Sequence, residues 1–140
     1  EAPYLSKPDN ITVDLAGNIL IQEDPGGNDA VARIVAFRPS DSKMVVISEF
    51  NKEYFVKGAD KYWTNDEEAS GIIEATDLFA KKGDTNSYYL FNTQVHALAS
   101  KARPDLAHKS DTAKAAIDKR TIEGGGWYLM TVSSWDDVFK

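Results

Sequence analysis

The stretch that decides the fold is "ITVDLAGNILIQED", which runs from Ile11 to Asp24. Apolar and polar residues alternate from Ile11 to Leu15, and this is the two-residue period of a half-buried β-strand. Residues 16–18, "AGN", can make a reverse turn because glycine and asparagine tolerate positive φ. Apolar residues resume at Ile19, and the glycine loop "PGGND" (25–29) ends the second strand. The stretch therefore predicts a β-hairpin.

Further strands are predicted on both sides of short turns along the rest of the chain. They cover Ala32–Arg38, Met44–Phe50, Gly71–Ala75, Tyr88–Leu98 and Trp127–Val132. Consecutive strands joined by short turns favour antiparallel pairing in a meander. Little helix is expected: one short helix with Ser110 as its N-cap, inside a polar surface insertion at 99–120, and one with Ser134 as its N-cap. The predicted fold class is all-β.

The spacing of the strands indicates a particular kind of meander. A repeat of four strands per ~45 residues is typical of the blades of a β-propeller. A propeller needs at least four blades, whereas 140 residues supply two or three. We therefore interpret residues 1–140 as a single unit of a larger propeller. We expect another chain, a symmetry-related copy or a cleaved precursor to supply the remaining blades, because exposed strand edges invite pairing.

Composition excludes several classes of function. The formal net charge is −6 and no basic cluster is present, so nucleic acid is not an expected partner. The absence of cysteine excludes disulfides, thiolate catalysis and zinc sites built from cysteine. No apolar run approaches the roughly 20 residues of a membrane span.

Three groups of acidic residues lie at the ends of predicted strands. They are Glu23 with Asp24, the run Asp66–Glu68, and Glu123 before three glycines. Carboxylates on loops at strand ends are how proteins usually hold hard cations such as Ca²⁺. The alternative is that these acids are ordinary solvated turn residues. Because alternate strand ends of a meander share an edge, we expect Glu23 and Asp24 to converge with Glu67 and Glu68.

Four motifs resemble, in chain order, segments of the PhoX-type alkaline phosphatases and the related esterase-like phytase proteins. They are "PDNITVDLAGNILIQED" (8–24), "NDEEASGIIEATDLF" (65–79), "TQVHAL" (93–98) and "TIEGGGWYLM" (121–130). The resemblance implies a β-propeller of about six blades, of which this chain would be the C-terminal part. It also implies bacterial export to the periplasm or the medium, and hydrolysis of phosphate monoesters.

The same resemblance implies Ca²⁺, and in some members iron, near the central channel of the propeller. By motif, Glu23 or Asp24, Glu67, Glu68 and His96 correspond to positions near the metal sites, and Asp66 belongs to the same acidic run. A lone histidine is more often structural than a ligand, so His96 matters only if the fold brings it to the acids. The cysteine that ligates iron in the phosphatases has no counterpart in this chain.

Two functions are therefore open. The chain is part of a calcium-dependent phosphoesterase of PhoX-like type, in which the metal polarises the phosphoryl oxygens and the catalytic residues are not identified. Alternatively, it is a non-catalytic module, either a calcium-stabilised propeller piece or an interaction module that pairs its exposed strands with another chain.

Overall fold

The computed structural model describes residues 3–27, 30–96, 110, 112–113 and 124–140. In these residues seven strands form two antiparallel sheets, and the predicted all-β meander class is confirmed. The four-stranded sheet contains, in order, β1 (Pro8–Val13), β2 (Ile19–Glu23), β3 (Arg33–Arg38) and β4 (Lys43–Glu49). The three-stranded sheet contains β5 (Glu67–Glu74), β6 (Ser87–Val95) and β7 (Gly124–Val132). Three helices of one turn each are α1 (Lys52–Phe55), α2 (Thr76–Phe79) and α3 (Trp135–Val138).

The strands β5 and β7 begin three or more residues earlier than the sequence predicts, as β1 does at Pro8. The strand β5 begins at Glu67 rather than at Gly71, so two of the three clustered acids lie inside the strand and not on a loop before it. The strand β7 begins at Gly124 rather than at Trp127, because all three glycines before Trp127 pair with β6. Gly124 lies opposite Val95. In both cases a neighbouring strand supplies ladder hydrogen bonds that override the weak strand propensity of acidic residues and glycine.

The predicted helix caps are found where they can be checked. The Ser134 side chain accepts a hydrogen bond from the backbone N–H of Asp137 at the start of α3. The Ser110 hydroxyl accepts one from the N–H of Ala113 at 3.3 Å. The rest of that predicted helix, and most of the predicted insertion at 99–120, lies outside the described residues. The helices α1 and α2 were not predicted, although Asn51 caps α1 in the standard way.

The core lies between the two sheets. The side chains that meet there are buried Leu20 and Ile34 from the four-stranded sheet and Ala69, Ile72, Tyr89 and Val132 from the three-stranded sheet. We call the faces that carry these residues the inner faces. The strand β5 lies against β1 and β2. This contact places the start of β5 beside the end of β2, where the sequence puts its acids.

A buried carboxylate fixes the first hairpin against the other sheet. Asp14 accepts hydrogen bonds from the N–H groups of Ala16 and Asn18, and from the Asn18 side chain at 2.9 Å. The hydroxyl of the fully buried Tyr89 also donates a hydrogen bond to Asp14 Oδ2, at 2.8 Å. Burial, followed by this hydrogen bond to a carboxylate, raises the pKa of the Tyr89 hydroxyl. The contact sets the position of one sheet relative to the other.

The two outer faces, which point away from the core, both carry rows of apolar residues. On the four-stranded sheet, register aligns two rows across all strands: Ile11–Ile21–Val35–Val46 and Val13–Ile19–Phe37–Met44. On the three-stranded sheet the aligned row is Ile73–Leu90–Leu129. Antiparallel sheets with one solvated face normally carry polar residues there, so rows like these are typical of sheets that are buried on both faces.

Candidate functional site

Three carboxylates lie in the region where the end of β2 approaches the start of β5. Asp24 and Asp66 both lie near Gly26, since a Cβ built on that glycine would be 3.2 Å from Asp24 Oδ1 and 3.7 Å from Asp66 Oδ1. The loop is held in place by the N–H of Gly27, which donates to the carbonyl of Asn65 at 2.8 Å. Glu67 follows Asp66 directly, and its pKa responds to the charges of both aspartates. We call Asp24, Asp66 and Glu67 the acidic cluster.

Glu67 is the buried member of the acidic cluster, with only 1% of its surface exposed. Its side chain reaches the four-stranded sheet, where Oε1 accepts a hydrogen bond from the N–H of Ala32 at 3.0 Å. Its second oxygen, Oε2, is buried and has no hydrogen-bond partner among the described residues. Burial, against the opposing effect of the Ala32 hydrogen bond, raises the pKa of Glu67 from 4.5 to about 7, and the charges of Asp66 and Asp24 add to this increase. An ionised carboxylate in this position is costly unless a proton or a cation compensates it.

Glu23 is equally buried but lies on the outer face, where it has a protein counter-charge. The guanidinium of Arg33 donates to both of its oxygens, at 2.6 and 2.7 Å. The backbone N–H of Ser6 donates to Oε1 at 2.7 Å. This bidentate geometry is the strong form of an arginine–carboxylate pair. The structure therefore does not bring Glu23 into the acidic cluster, and its role as a metal ligand stays a prediction.

Glu68 lies on the opposite face of the sheet from Glu67, whereas the backbone of His96 contacts Asp66. Glu68 follows Glu67 in the strand and pairs with Gln94, so the two-residue period of the strand directs it to the opposite face from Glu67. His96 is adjacent to the cluster through its backbone, because its N–H donates to the carbonyl of Asp66 at 2.7 Å. The structure thus places Asp24 and Asp66 near Gly26, where their charges act on Glu67, and leaves Glu68 on the other side of the sheet.

Lys7 contributes a positive charge that the sequence did not reveal. Its ammonium donates to the carbonyls of Pro25 at 2.9 Å and Gly26 at 3.3 Å. It lies 3.9 Å from the position that a Cβ on Gly26 would take, close to the carboxylates of Asp24 and Asp66. With Glu67 ionised, the cluster has three carboxylates facing one ammonium. The excess of two negative charges is what a divalent cation neutralises.

Gln22 is a second residue that sequence reasoning missed. It is fully buried on the inner face, and neither its Oε1 nor its Nε2 has a hydrogen-bond partner among the described residues. A signal was present in the sequence, since the alternation that sends Leu20 into the core sends Gln22 in the same direction. A polar side chain at an inward position of a strand needs a partner.

An apolar cleft adjoins the acidic cluster between the two sheets. Its volume is about 390 Å³, and Ala32, whose N–H binds Glu67, forms part of its wall. The aromatic residues that line it are Phe50, Phe55, Trp63, Phe91 and Tyr128. The rings of Phe91 and Tyr128 are stacked, with centroids 5.2 Å apart. A cleft of this size and composition suits a small apolar group.

The donor atoms of the acidic cluster are carboxylate oxygens, which are the atoms that hard cations prefer. Ca²⁺ takes about six to eight oxygen ligands, from carboxylates, amide carbonyls and water. Within the described parts of the chain, no group of three or more His, Asp or Glu side chains is placed so that it could hold a metal ion. The unpartnered Oε2 of Glu67 is nevertheless a buried oxygen that requires a proton or a cation. The predicted member Glu123 lies outside the described residues.

Comparison with known proteins adds no relative. The chain matches no family model, no curated protein and no solved structure. No helix in the described residues is long and apolar enough to cross a membrane. Four sequence motifs and the geometry of the acidic cluster are therefore what indicate a function.

Proposed function

We propose that the chain binds Ca²⁺ at the acidic cluster and is part of a calcium-dependent phosphoesterase of PhoX-like type. The observation that carries the proposal is the fully buried Glu67, whose Oε2 has no partner and which lies beside Asp24 and Asp66. Structural ion pairs such as Glu23–Arg33 compensate a buried carboxylate internally. Glu67 has no ion-pair partner among the described residues, and a cation would compensate its charge.

The cluster and its surroundings suit the binding of a phosphate monoester. Bound Ca²⁺ would polarise a phosphoryl oxygen and offset the developing negative charge. Three carboxylates leave coordination positions for oxygens of the substrate or of water. The apolar cleft beside Ala32 could receive the organic part of the ester. An all-oxygen donor set favours Ca²⁺ over iron.

The apolar outer faces support the larger assembly that the motifs imply. Ile11, Val13 and Ile73 are 64%, 57% and 52% exposed, respectively, although register aligns them with apolar neighbours. Further sheets packed on these faces would continue a β-propeller. We propose that another chain, a symmetry-related copy or a cleaved precursor supplies those sheets, and that the assembled protein is secreted or periplasmic in a bacterium.

The aromatic cleft favours a second candidate function, a non-catalytic calcium-stabilised binding module. In this case Ca²⁺ would hold the end of β2 against the start of β5, and the cleft of about 390 Å³ would take an apolar ligand. The two candidates share the cation site and differ in whether a phosphate ester is hydrolysed.

Calorimetric titration of Ca²⁺ into the 140-residue chain tests the shared site. We expect Glu67→Gln to weaken binding by at least about tenfold, as the loss of a ligand or of its support does. Glu68→Gln is the matched control, because it removes the same charge one residue away on the opposite face. Equal weakening by both variants, or no binding by the unaltered chain, would overturn the calcium site. Hydrolysis of p-nitrophenyl phosphate with and without Ca²⁺ then separates the phosphoesterase from the non-catalytic module.

A further inference from the structure

We infer that two copies of the chain associate through β7, which pairs antiparallel with β7 of the other copy. The pairing joins the two three-stranded sheets into one six-stranded sheet. The inference goes beyond the proposed function, because it depends neither on the calcium site nor on hydrolysis of a phosphate ester. It rests on the pairing, composition and exposure of a single strand.

The strand β7 lies at the edge of its sheet. Among the described residues it pairs with β6 alone. The pairing runs without a shift of register from Gly124 to Val132, so the strand is nine residues long. The side of an edge strand that faces away from its neighbour presents a row of backbone N–H and C=O groups to which another strand can bond.

The other three edge strands carry features that oppose such pairing. The strand β1 begins with a proline and an aspartate, β4 begins with a lysine and ends with a glutamate, and β5 contains three glutamates. The ladder of each of these strands also contains a register shift. Charges, proline and bulges are the usual protection of an edge. The strand β7 has no charged residue, no proline and no register shift.

Charge favours a second copy at this edge over the others. The formal net charge of the chain is −6, so two copies repel each other wherever their carboxylates approach. Pairing of β5 with its own copy would bring six glutamates into one ladder region, since each strand contributes three. Pairing through β7 brings no charged side chain of the strand against another.

The sequence of β7 is complementary to itself in the antiparallel direction. With Tyr128 of each protomer at the twofold axis, Trp127 lies opposite Leu129 of its partner, and directly opposite residues share a face of the sheet. The same register places the three glycines at 124–126 opposite the larger residues at 130–132. Each glycine therefore leaves room for a bulkier side chain of the other protomer.

Pairing also covers apolar surface that a single copy leaves exposed. The consecutive residues Trp127, Tyr128 and Leu129 are 73%, 49% and 47% exposed. On the outer face, Leu129 ends the apolar row that begins at Ile73, and Trp127 of the partner extends this row into the second sheet. A contiguous exposed apolar patch of this kind marks an interaction surface.

Size-exclusion chromatography with light scattering measures the mass of the 140-residue chain and of two variants. We expect twice 15.5 kDa for the unaltered chain and the mass of one chain for Leu129→Lys, because lysine on an edge strand opposes pairing. Ile73→Lys is the matched control, since it lies in the same outer row but on β5, and it should remain dimeric. The inference is wrong if the unaltered chain is monomeric, if Leu129→Lys stays dimeric, or if Ile73→Lys dissociates, which would indicate association through the outer faces.

A cysteine variant gives a measurement that does not require the fold to accept a lysine. The chain has no cysteine, so Tyr128→Cys introduces a single thiol. In the proposed register the two Cβ atoms at position 128 lie about 4.5–5.5 Å apart, close to the spacing that a disulfide bridges. Under oxidising conditions we expect a covalent dimer on a non-reducing gel, and none for Ile73→Cys, which replaces a similarly exposed residue. Equal yields from the two variants, or no covalent dimer from Tyr128→Cys, would contradict pairing through β7.

Discussion

Glu23 and Glu67 are both fully buried glutamates near the same corner of the molecule, but their charges are compensated in opposite ways. Glu23, on the outer face, receives two hydrogen bonds from Arg33 and one from the backbone of Ser6. Glu67, on the inner face, receives one hydrogen bond and lies beside two further carboxylates. Burial alone therefore does not mark a functional acid. The informative property is whether the protein itself supplies the compensating charge.

The largest change in stability is expected when Glu23 loses its counter-charge and becomes, like Glu67, a buried carboxylate without an ion-pair partner among the described residues. Arg33→Met removes the counter-charge and leaves a buried carboxylate uncompensated. We expect the free energy of unfolding to fall by about 3–5 kcal/mol at neutral pH, measured by urea denaturation. In the double variant Arg33→Met/Glu23→Gln most of this loss should be recovered. A loss below about 1 kcal/mol in the single variant would mean that the pair behaves like a surface ion pair.

The second prediction concerns the proton on Glu67. Its pKa is raised from 4.5 to about 7 in the folded chain, so between these values the folded state binds more protons than the unfolded state. The stabilisation is fully present below pH 4.5 and is lost as the pH rises to about 7, with a slope of about 1.4 kcal/mol per pH unit.

Glu67→Gln should abolish this slope in thermal melts performed without Ca²⁺ across the same pH range. Saturating Ca²⁺ should flatten the slope in the unaltered chain, because the cation favours the ionised carboxylate. If stability still falls with pH at the same slope in Glu67→Gln, other groups cause the pH dependence. Glu67 would then not differ from Glu23 in this respect.

A third buried carboxylate, Asp14, sharpens the comparison because it is satisfied by hydrogen bonds alone. Tyr89→Phe deletes the hydroxyl that donates to Asp14 Oδ2. We expect a loss of about 1.5–3 kcal/mol, the usual contribution of a buried hydrogen bond to a charged group, in urea denaturation. The control is Tyr88→Phe, whose hydroxyl bonds the surface residue Asp84, and it should cost clearly less.

The smallest effect is expected at Glu68. Glu68→Gln changes a half-buried charge on the face opposite Glu67, so the stability should change by no more than about 0.5 kcal/mol. Its Ca²⁺ affinity, followed in the same titrations, should remain that of the unaltered chain. A large change in either quantity would show that the two neighbouring glutamates act together.

Local structure was easier to predict from the sequence than the groups that neutralise the buried carboxylates. Alternation from Ile11 to Leu15 and the "AGN" turn indicated the first hairpin, because both depend only on neighbouring residues. The pairing of Glu23 with Arg33 could not be predicted, since it depends on the register between β2 and β3. The early start of β5 also escaped prediction, because acidic residues have low strand propensity until β6 pairs with them.

The geometry of the candidate site was foreseen only in outline. The expectation that Glu23 and Asp24 converge with Glu67 and Glu68 rested on the edges of a meander. The charges of Asp24 and Asp66 do act on Glu67, whereas Glu23 pairs with Arg33 on the outer face. The strand period then separates Glu68 from Glu67, which a view of the acids as a loop could not anticipate. Lys7 could not be recognised because it precedes the first strand, whereas the inward position of Gln22 was readable from the alternation with Leu20.

Because the pairing of β5 is irregular, deletion of a single residue should have different effects at different positions of this strand. Ala69 lies opposite Thr93 and Gly71 lies opposite Asn92, so Ser70 is the extra residue of a bulge. Deleting Ser70 would leave both halves of the strand on their present faces, at the expense of one hydrogen bond to Gln94. Deleting Ile72 instead would shift the residues after it by one place and turn their side chains to the wrong faces. Deletion of one residue should therefore leave the protein folded at position 70 and unfold it at position 72.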